Sequence, residues 1–436
     1  MSAGCDTFEA LMIKSHVLLL RTRALKGMGS VLAGALLLVA QPTPAAPTPS
    51  APAPAEAASA PASPASPPAA SPAPAPSDAD LHRRAIVIDT HADTTQAFTY
   101  FGMDIARSQP DLDLDLPKVA AGGLDAEFFS IFVFPKAFKP AEYYGEALRQ
   151  IDAVERVARA NPQRMRVART AAEVRANAAA GILSALIGVE GGHVLGPGDP
   201  ATQLDRLRAL ADRGARYMTL TWSNGNDIGG SSGDDSDVRG LTPFGRDVIV
   251  QMNRLGVIVD ISHVSDPTFW DAIRATRKPV LASHSSSRAL TNVPRNMTDA
   301  MLKAVAQNGG AACVNFGASF LDEAFHERES AIWAKPRPAD RLAAWRQVRA
   351  DGARLTPRVP LSRLIDHIEH MVKVAGVDHV CLGSDFDGMP ALPVGVENVG
   401  KLPAITAALR ARGMAPGDVE KILGGNVLRV LEANEH

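Results

Sequence analysis

Beyond residue 80 the chain alternates short apolar runs with longer stretches whose apolar residues recur every three or four positions. The runs are "AIVID" (85–89), "AEFFSIFVF" (126–134), "SALIGVE" (184–190), "YMTLTW" (217–222), "GVIVDIS" (256–262), "PVLAS" (279–283), "AACVNF" (311–316) and "HVCLGSD" (379–385). They are rich in Val, Ile, Leu and Phe without strict alternation, as strands buried on both faces should be. Between them lie amphipathic segments such as "YYGEALRQIDAVERVARA" (143–160), "LTPFGRDVIVQMNRLG" (241–256) and "LSRLIDHIEHMVKVAG" (361–376), which predict helices. Eight strand–helix repeats predict a (β/α)8 barrel of the TIM type, with a doubly wound open sheet as the alternative. No GxGxxG follows the first strand, which counts against the open sheet.

Ahead of residue 80 the pattern changes. Arg21, Arg23 and Lys26 precede the apolar "VLAGALLLVA" (31–40), the order of a signal peptide's n- and h-regions. That stretch is short of the roughly 20 apolar residues of a membrane span. Residues 1–40 therefore read as a signal peptide, with a retained anchor as the alternative, and no cysteine follows to carry a lipid. The unusual start ahead of Met12 or Met28 also fits an overlong reading frame. Residues 41–79 are almost wholly Pro, Ala and Ser, a tract that cannot bury a core and serves as a spacer. Residues 80–436 remain, enough for one large α/β domain. The expected location is periplasmic or extracellular, with membrane contact only if the N-terminal segment is retained. The balance of 45 Lys+Arg against 47 Asp+Glu leaves no basic footprint for nucleic acid. Cys5 would leave with the signal. Cys313 and Cys381 fall in apolar runs and read as buried free thiols, although export permits a disulfide.

A barrel of this kind places its chemistry where strands end. His91 and Asp93 end the first run, Glu190 the third, His263 the fifth, His284 the sixth and Asp385 the eighth. Residues i and i+2 of an extended segment face one side, so His91 and Asp93 can share an ion. Glu190, with two oxygens, can bridge to a second ion held by His263 and His284. Paired metals generate hydroxide at neutral pH and polarise a scissile carbonyl. Nitrogen and carboxylate donors without thiolate suit two Zn²⁺, with Mn²⁺ or Fe²⁺ also compatible. Each residue alone has a structural alternative: a capping Asp, a hydrogen-bonded core His, a solvated Glu. Convergence on one mouth is what favours a metal site. Asp385 is surplus to that set and suits proton transfer from water to a leaving amine, with a third metal-binding role as the rival. Asp387 is expected to bond the turn containing Gly388. His367 and His370 lack the spacing of a zincin pair and read as a solvated helix face, and His326 is also expected on a helix.

The segments "IDTHADT", "GVEGGH", "GLTPFGRDVIVQMNRLGVIVDISHVS", "SHSSSRALTNVPRNMTD", "LGSDFDG" and "GGNVLRVL" resemble, in order, the membrane (renal) dipeptidase family of zinc peptidases. The resemblance spans roughly residues 80–436 and implies a barrel of the metal-dependent hydrolase superfamily with a dinuclear zinc centre, His91 and Asp93 on one ion, His263 and His284 on the other and Glu190 between. It assigns proton transfer to Asp385 and recognition of the substrate's free carboxylate to Arg295. A bidentate guanidinium there would act as a ruler restricting cleavage to very short peptides; a helix-capping surface arginine is the alternative. His193 reads equally as an orienter of Glu190 or as loop packing. The substrate implied is a dipeptide, and family members are often homodimers.

One position departs from the family. Trp222 stands where members usually carry a histidine thought to hydrogen-bond the carbonyl oxygen of the tetrahedral intermediate. Indole has one N–H donor and more bulk, so Trp222 either reaches that oxygen or lines the substrate pocket. The pocket reading is preferred, because paired metals still carry the charge. Rival functions are another amidohydrolase or lactonase of the superfamily, or a binding protein that has lost its chemistry.

Overall fold

The computed structural model describes residues 77–435 apart from 235, 237 and 238. The expected signal peptide and nearly all of the expected spacer lie outside them; the helix Asp78–Arg84 takes in the last two residues assigned to the spacer. Nine strands follow: β1 (Ile88–Ala92), β2 (Ala126–Phe132), β3 (Met165–Val167), β4 (Leu183–Glu190), β5 (Ala215–Thr219), β6 (Ile258–Asp260), β7 (Leu281–Ala282), β8 (Ala311–Asn315) and β9 (Val380–Gly383). Neighbours run in the order β2-β1-β9-β8-β7-β6-β5-β4, every pair is parallel, and a seven-residue register between β2 and β4 closes the ring. The result is the eight-stranded (β/α)8 barrel, not the open sheet.

All eight expected runs contribute a ring strand; β4 begins one residue earlier than its run, and the others are shorter than theirs or shifted by a few residues. β3 was not anticipated: three residues, Met-Arg-Val, carry too little apolar pattern. It lies along Leu183–Ala185 at the start of β4, and β5 takes over from Ile187. The helices Tyr143–Ala160, Pro243–Leu255 and Leu361–Ala375 match the periodic segments. Thr242 caps the second of these, its side chain accepting from the Gly245 amide, and Gly256 ends it with φ 67°.

The core has two parts. Ile88, Phe128, Leu186, Tyr217, Ile258 and Leu281 fill the barrel, joined by Val427 and Leu431 of the helix Asn426–Asn434. A larger apolar layer lies between strands and helices. Cys313 and Cys381 are register partners on β8 and β9 and form a disulfide, which corrects the free-thiol reading. Pattern alone could not show that these two runs are adjacent.

Two further expectations are corrected. His367 is fully buried, because the helix Leu361–Ala375 turns that face inward; its Nδ1 accepts from the Ser287 amide at 3.1 Å. His370 is partly buried and bonds Asp299 at 2.8 Å, and His326 lies in the helix Glu323–Trp333. Asp387 does not bond its own turn: its carboxylate accepts from Thr94 Oγ1 at 2.5 Å and from the Asp113 amide at 2.6 Å.

Candidate metal centre and active site

The candidate ligands meet at the C-terminal mouth of the barrel. Glu190 is the last residue of β4, His91 the penultimate residue of β1, and His263, His284 and Asp385 lie two or three residues beyond β6, β7 and β9. Glu190 Oε1 is 3.0 Å from His263 Nε2 and 3.8 Å from His284 Nε2, while Oε2 is 3.5 Å from His91 Nε2. The two Nε2 atoms of His263 and His284 are 2.9 Å apart. His91 stacks on His284 with ring centres 3.8 Å apart. Ligand atoms of His91, Glu190 and His284 lie within 4.8 Å of one another, as do those of His91, Asp93 and Asp385. All five expected ligands are therefore together, and His91 belongs to both groupings.

The supporting bonds set the imidazole tautomers. The Tyr217 hydroxyl donates to the Thr90 carbonyl at 3.1 Å, so it accepts from His91 Nδ1–H at 2.8 Å. Ser283 Oγ donates to Asp260 Oδ2 at 2.6 Å and accepts from His284 Nδ1–H at 2.7 Å. Both rings thus turn Nε2 inward, the arrangement of metal-binding histidines. Gly188 makes room for Tyr217, since a Cβ there would lie 2.1 Å from its ring. Tyr217, Asp260, Ser283 and Asn315 were not singled out from sequence. Their only signal is a polar group inside an apolar run.

Asp93 heads the helix Thr94–Tyr100, but its carboxylate makes no capping bond, so the capping alternative does not describe it. Its Oδ1 and His91 Nε2 are buried without a hydrogen-bond partner, which is costly unless a cation takes them up. Gly388 lets the carboxylates approach: a Cβ there would lie 2.3 Å from Asp93 Oδ2 and 2.6 Å from Asp385 Oδ1. Asp385 Oδ2 accepts from Asn315 Nδ2 at 2.9 Å. His263 and Asp385 both sit in the left-handed region, at φ 68° and 63°. Non-glycine residues held there cost backbone energy and cluster at functional sites.

Burial and close approach shift the ionisable groups of the site. Burial and the charge of Glu190 push the Asp93 carboxyl well above its ordinary range. Burial alone would lower His91, yet the Glu190, Asp93 and Asp385 charges hold it up to about 10. Burial would raise Glu190, but His91 and His263 hold it below the carboxylate range. Burial and Arg295 push His263 down to about 4, and burial and His91 push His284 well down, leaving both as neutral donors. Carboxylates gathered around inward-turned imidazoles fit a divalent metal.

Arg295 stands at the rim, its Nη1 donating to Ser285 Oγ at 3.1 Å and its Nη2 to the His284 carbonyl at 3.0 Å. It is partly buried beside the ligands, not on a distant surface. His193 Nε2 bonds the Val133 carbonyl at 2.8 Å, and its ring packs edge-on to Tyr143 and against Gly191, the residue after Glu190. Trp222 packs on Phe132 and Phe134, with ring centres 4.9 and 5.8 Å away.

The membrane dipeptidase family (Peptidase family M19) matches residues 77–436, and the chain belongs to it. It is a metallopeptidase acting on dipeptides, with the divalent metal that this family implies. The chain is 33% identical over 341 residues to the dipeptidase tcpJ of Claviceps purpurea (strain 20.1), covering 76% of this chain and 72% of that protein. Among solved structures it resembles the probable dipeptidase PvdM of Pseudomonas aeruginosa, with TM-score 0.72 and 25% identity, covering 82% of this chain and 97% of that one. It also resembles a metallo peptidase of Rhodobacter sphaeroides liganded with a phosphinate mimic of the dipeptide L-Ala-D-Ala. That TM-score is 0.67 at 28% identity, covering 81% of this chain and all of the other.

Proposed function

We propose that the chain is an exported dinuclear zinc dipeptidase, with His91 and Asp93 for one ion, His263 and His284 for the other, and Glu190 shared. Two such cations, when bound, supply Lewis acidity toward a scissile carbonyl and lower the pKa of water. The remaining work falls to the protein. Tyr217 and Ser283 hold His91 and His284 in the tautomer that offers Nε2. Asn315 occupies Asp385 Oδ2, which leaves Oδ1 to take a proton and pass it to the leaving amine. Burial raises the Asp385 carboxyl above its ordinary range, which suits that task. Arg295 reads the substrate's C-terminal carboxylate through its paired N–H groups. The observation that carries the proposal is the convergence of three inward imidazoles and three carboxylates on one barrel mouth. Export is supported by the Cys313–Cys381 disulfide, since such bonds persist in oxidising compartments.

Metal analysis combined with Asp385→Asn tests the scheme. Two zinc ions per chain are expected in both proteins, with turnover of dipeptides falling by about 10²–10⁴-fold in the variant. A variant that retains half the wild-type metal makes Asp385 a ligand. A metal-loaded wild type inert on dipeptides points instead to another amide or lactone.

A further inference from the structure

Three aromatic rings stand beside the metal centre without a part in the chemistry described so far. Phe132 ends β2 and is the register partner of Glu190. Ser130, two residues earlier, points to the site, its Oγ donating to Glu190 Oε2 at 3.1 Å. Side chains alternate along a strand, so Phe132 shares that inward face, and the Phe134 ring packs 6.1 Å from it, centre to centre. Trp222 joins them from beyond β5. It is fixed next to the ligands: a Cβ on Gly191, the residue after Glu190, would lie 3.1 Å from Trp222 Cβ. Ser231 Oγ donates to the carbonyls of both Trp222 and His263. Each of the three aromatics is partly exposed, and clustered, half-exposed rings rimmed by polar groups mark a binding surface.

The topology says which part of a substrate meets them. Arg295 follows β7, and β7 and β2 are four strands apart either way round the ring, through β8, β9 and β1 or through β6, β5 and β4. Arg295 is held beside β7 by Ser285 and the His284 carbonyl, so the Phe132 end of the wall lies across the ring from it, while Trp222 follows β5, two strands from each.

We infer that Phe132, Phe134 and Trp222 form the pocket for the N-terminal side chain of the substrate, and that the enzyme selects dipeptides whose first residue is aromatic or bulky and apolar. This rests on the dipeptidase reading and on Arg295 holding the opposite end. Trp222 is the residue that completes the wall, and an imidazole there would supply less apolar area. The departure from the family at this position thus becomes a selectivity device.

The test uses zinc-loaded enzyme. Hydrolysis of Phe-Ala, Ala-Phe and Ala-Ala gives one selectivity, and calorimetric binding of phosphinate dipeptide mimics with benzyl or methyl in the first position gives a second that needs no turnover. Phe-Ala should exceed Ala-Ala in kcat/KM by at least about tenfold, the discrimination an apolar pocket supplies, and the benzyl mimic should bind at least as selectively. Trp222→Ala and Phe134→Leu should each collapse the Phe-Ala to Ala-Ala ratio, with Trp222→His between wild type and Trp222→Ala. Equal binding of the two mimics by wild type overturns the inference, and so does a ratio unmoved in either variant. No hydrolysis of any dipeptide, with the benzyl mimic still preferred, overturns the dipeptidase reading and leaves the pocket standing.

Discussion

The Tyr217 hydroxyl accepts from His91 Nδ1 at 2.8 Å and donates to the Thr90 carbonyl at 3.1 Å, so one phenol determines which nitrogen of His91 faces the mouth. It is neutral and stays so, because burial and the nearby carboxylates push its ionisation well above the ordinary range. Removing the hydroxyl leaves the ring and its packing on Phe128 in place. Tyr217→Phe is therefore expected to weaken binding of the divalent metal about 10- to 100-fold, the cost of losing a group that orients a ligand. Chelator competition measures this directly. Unchanged affinity would mean that packing alone orients the ring.

Arg295→Ala separates recognition from structure. Substrates with a free C-terminal carboxylate should lose kcat/KM through a raised KM, and their amidated counterparts should change little. A parallel loss on both would assign the arginine to holding Ser285 and the His284 carbonyl.

Glu329 gives a pH signature outside the expected ligand set, although the Asp385 charge adds to its shift. Burial pushes its carboxyl up from an ordinary value to about 7, with hydrogen bonds from Ser319 and Trp333 opposing. Below the unfolded value both states hold the proton. Between roughly 4.5 and 7 the unfolded chain releases it and the folded chain keeps it, so stability falls as pH rises through that window. The slope from this group is at most about 1.4 kcal/mol per pH unit. Glu329→Gln should flatten the decline between pH 5 and 8 in urea titrations. An identical slope in the variant would show that the carboxyl ionises freely in the fold.

The disulfide closes a sequence separation of 68 residues across neighbouring strands. Replacing both Cys313 and Cys381 with alanine should cost about 2–5 kcal/mol of unfolding free energy. The oxidised protein, denatured without reductant after loss of the signal segment, should show no free thiol. Two titratable thiols would mean that the strands pair without the bond.

The barrel and most of the candidate centre could be read from the chain, because both rest on local patterns. Runs buried on both faces look alike wherever they occur, and His91, Asp93, Glu190, His263, His284 and Asp385 each follow one. What could not be read depends on neighbours far away in sequence. His367 has the setting of a surface helix residue, and only the packing of that helix buries it against Ser287. Asp387 binds Thr94 and Asp113, each more than 270 residues away, in place of its own turn.

The sequence by itself determined the strand–helix alternation, the fold class and which side chains stand at strand ends, since periodicity and strand direction are properties of a segment. Only the tertiary structure decided which strands adjoin and what lies across the mouth from what. The Cys313–Cys381 bond, the Tyr217 and Ser283 supports and the clustering of Phe132 with Trp222 all follow from that closure. The physical reason is that a closed ring brings residues from distant segments within a few ångströms, and each such contact takes its energy from a partner that no local pattern specifies.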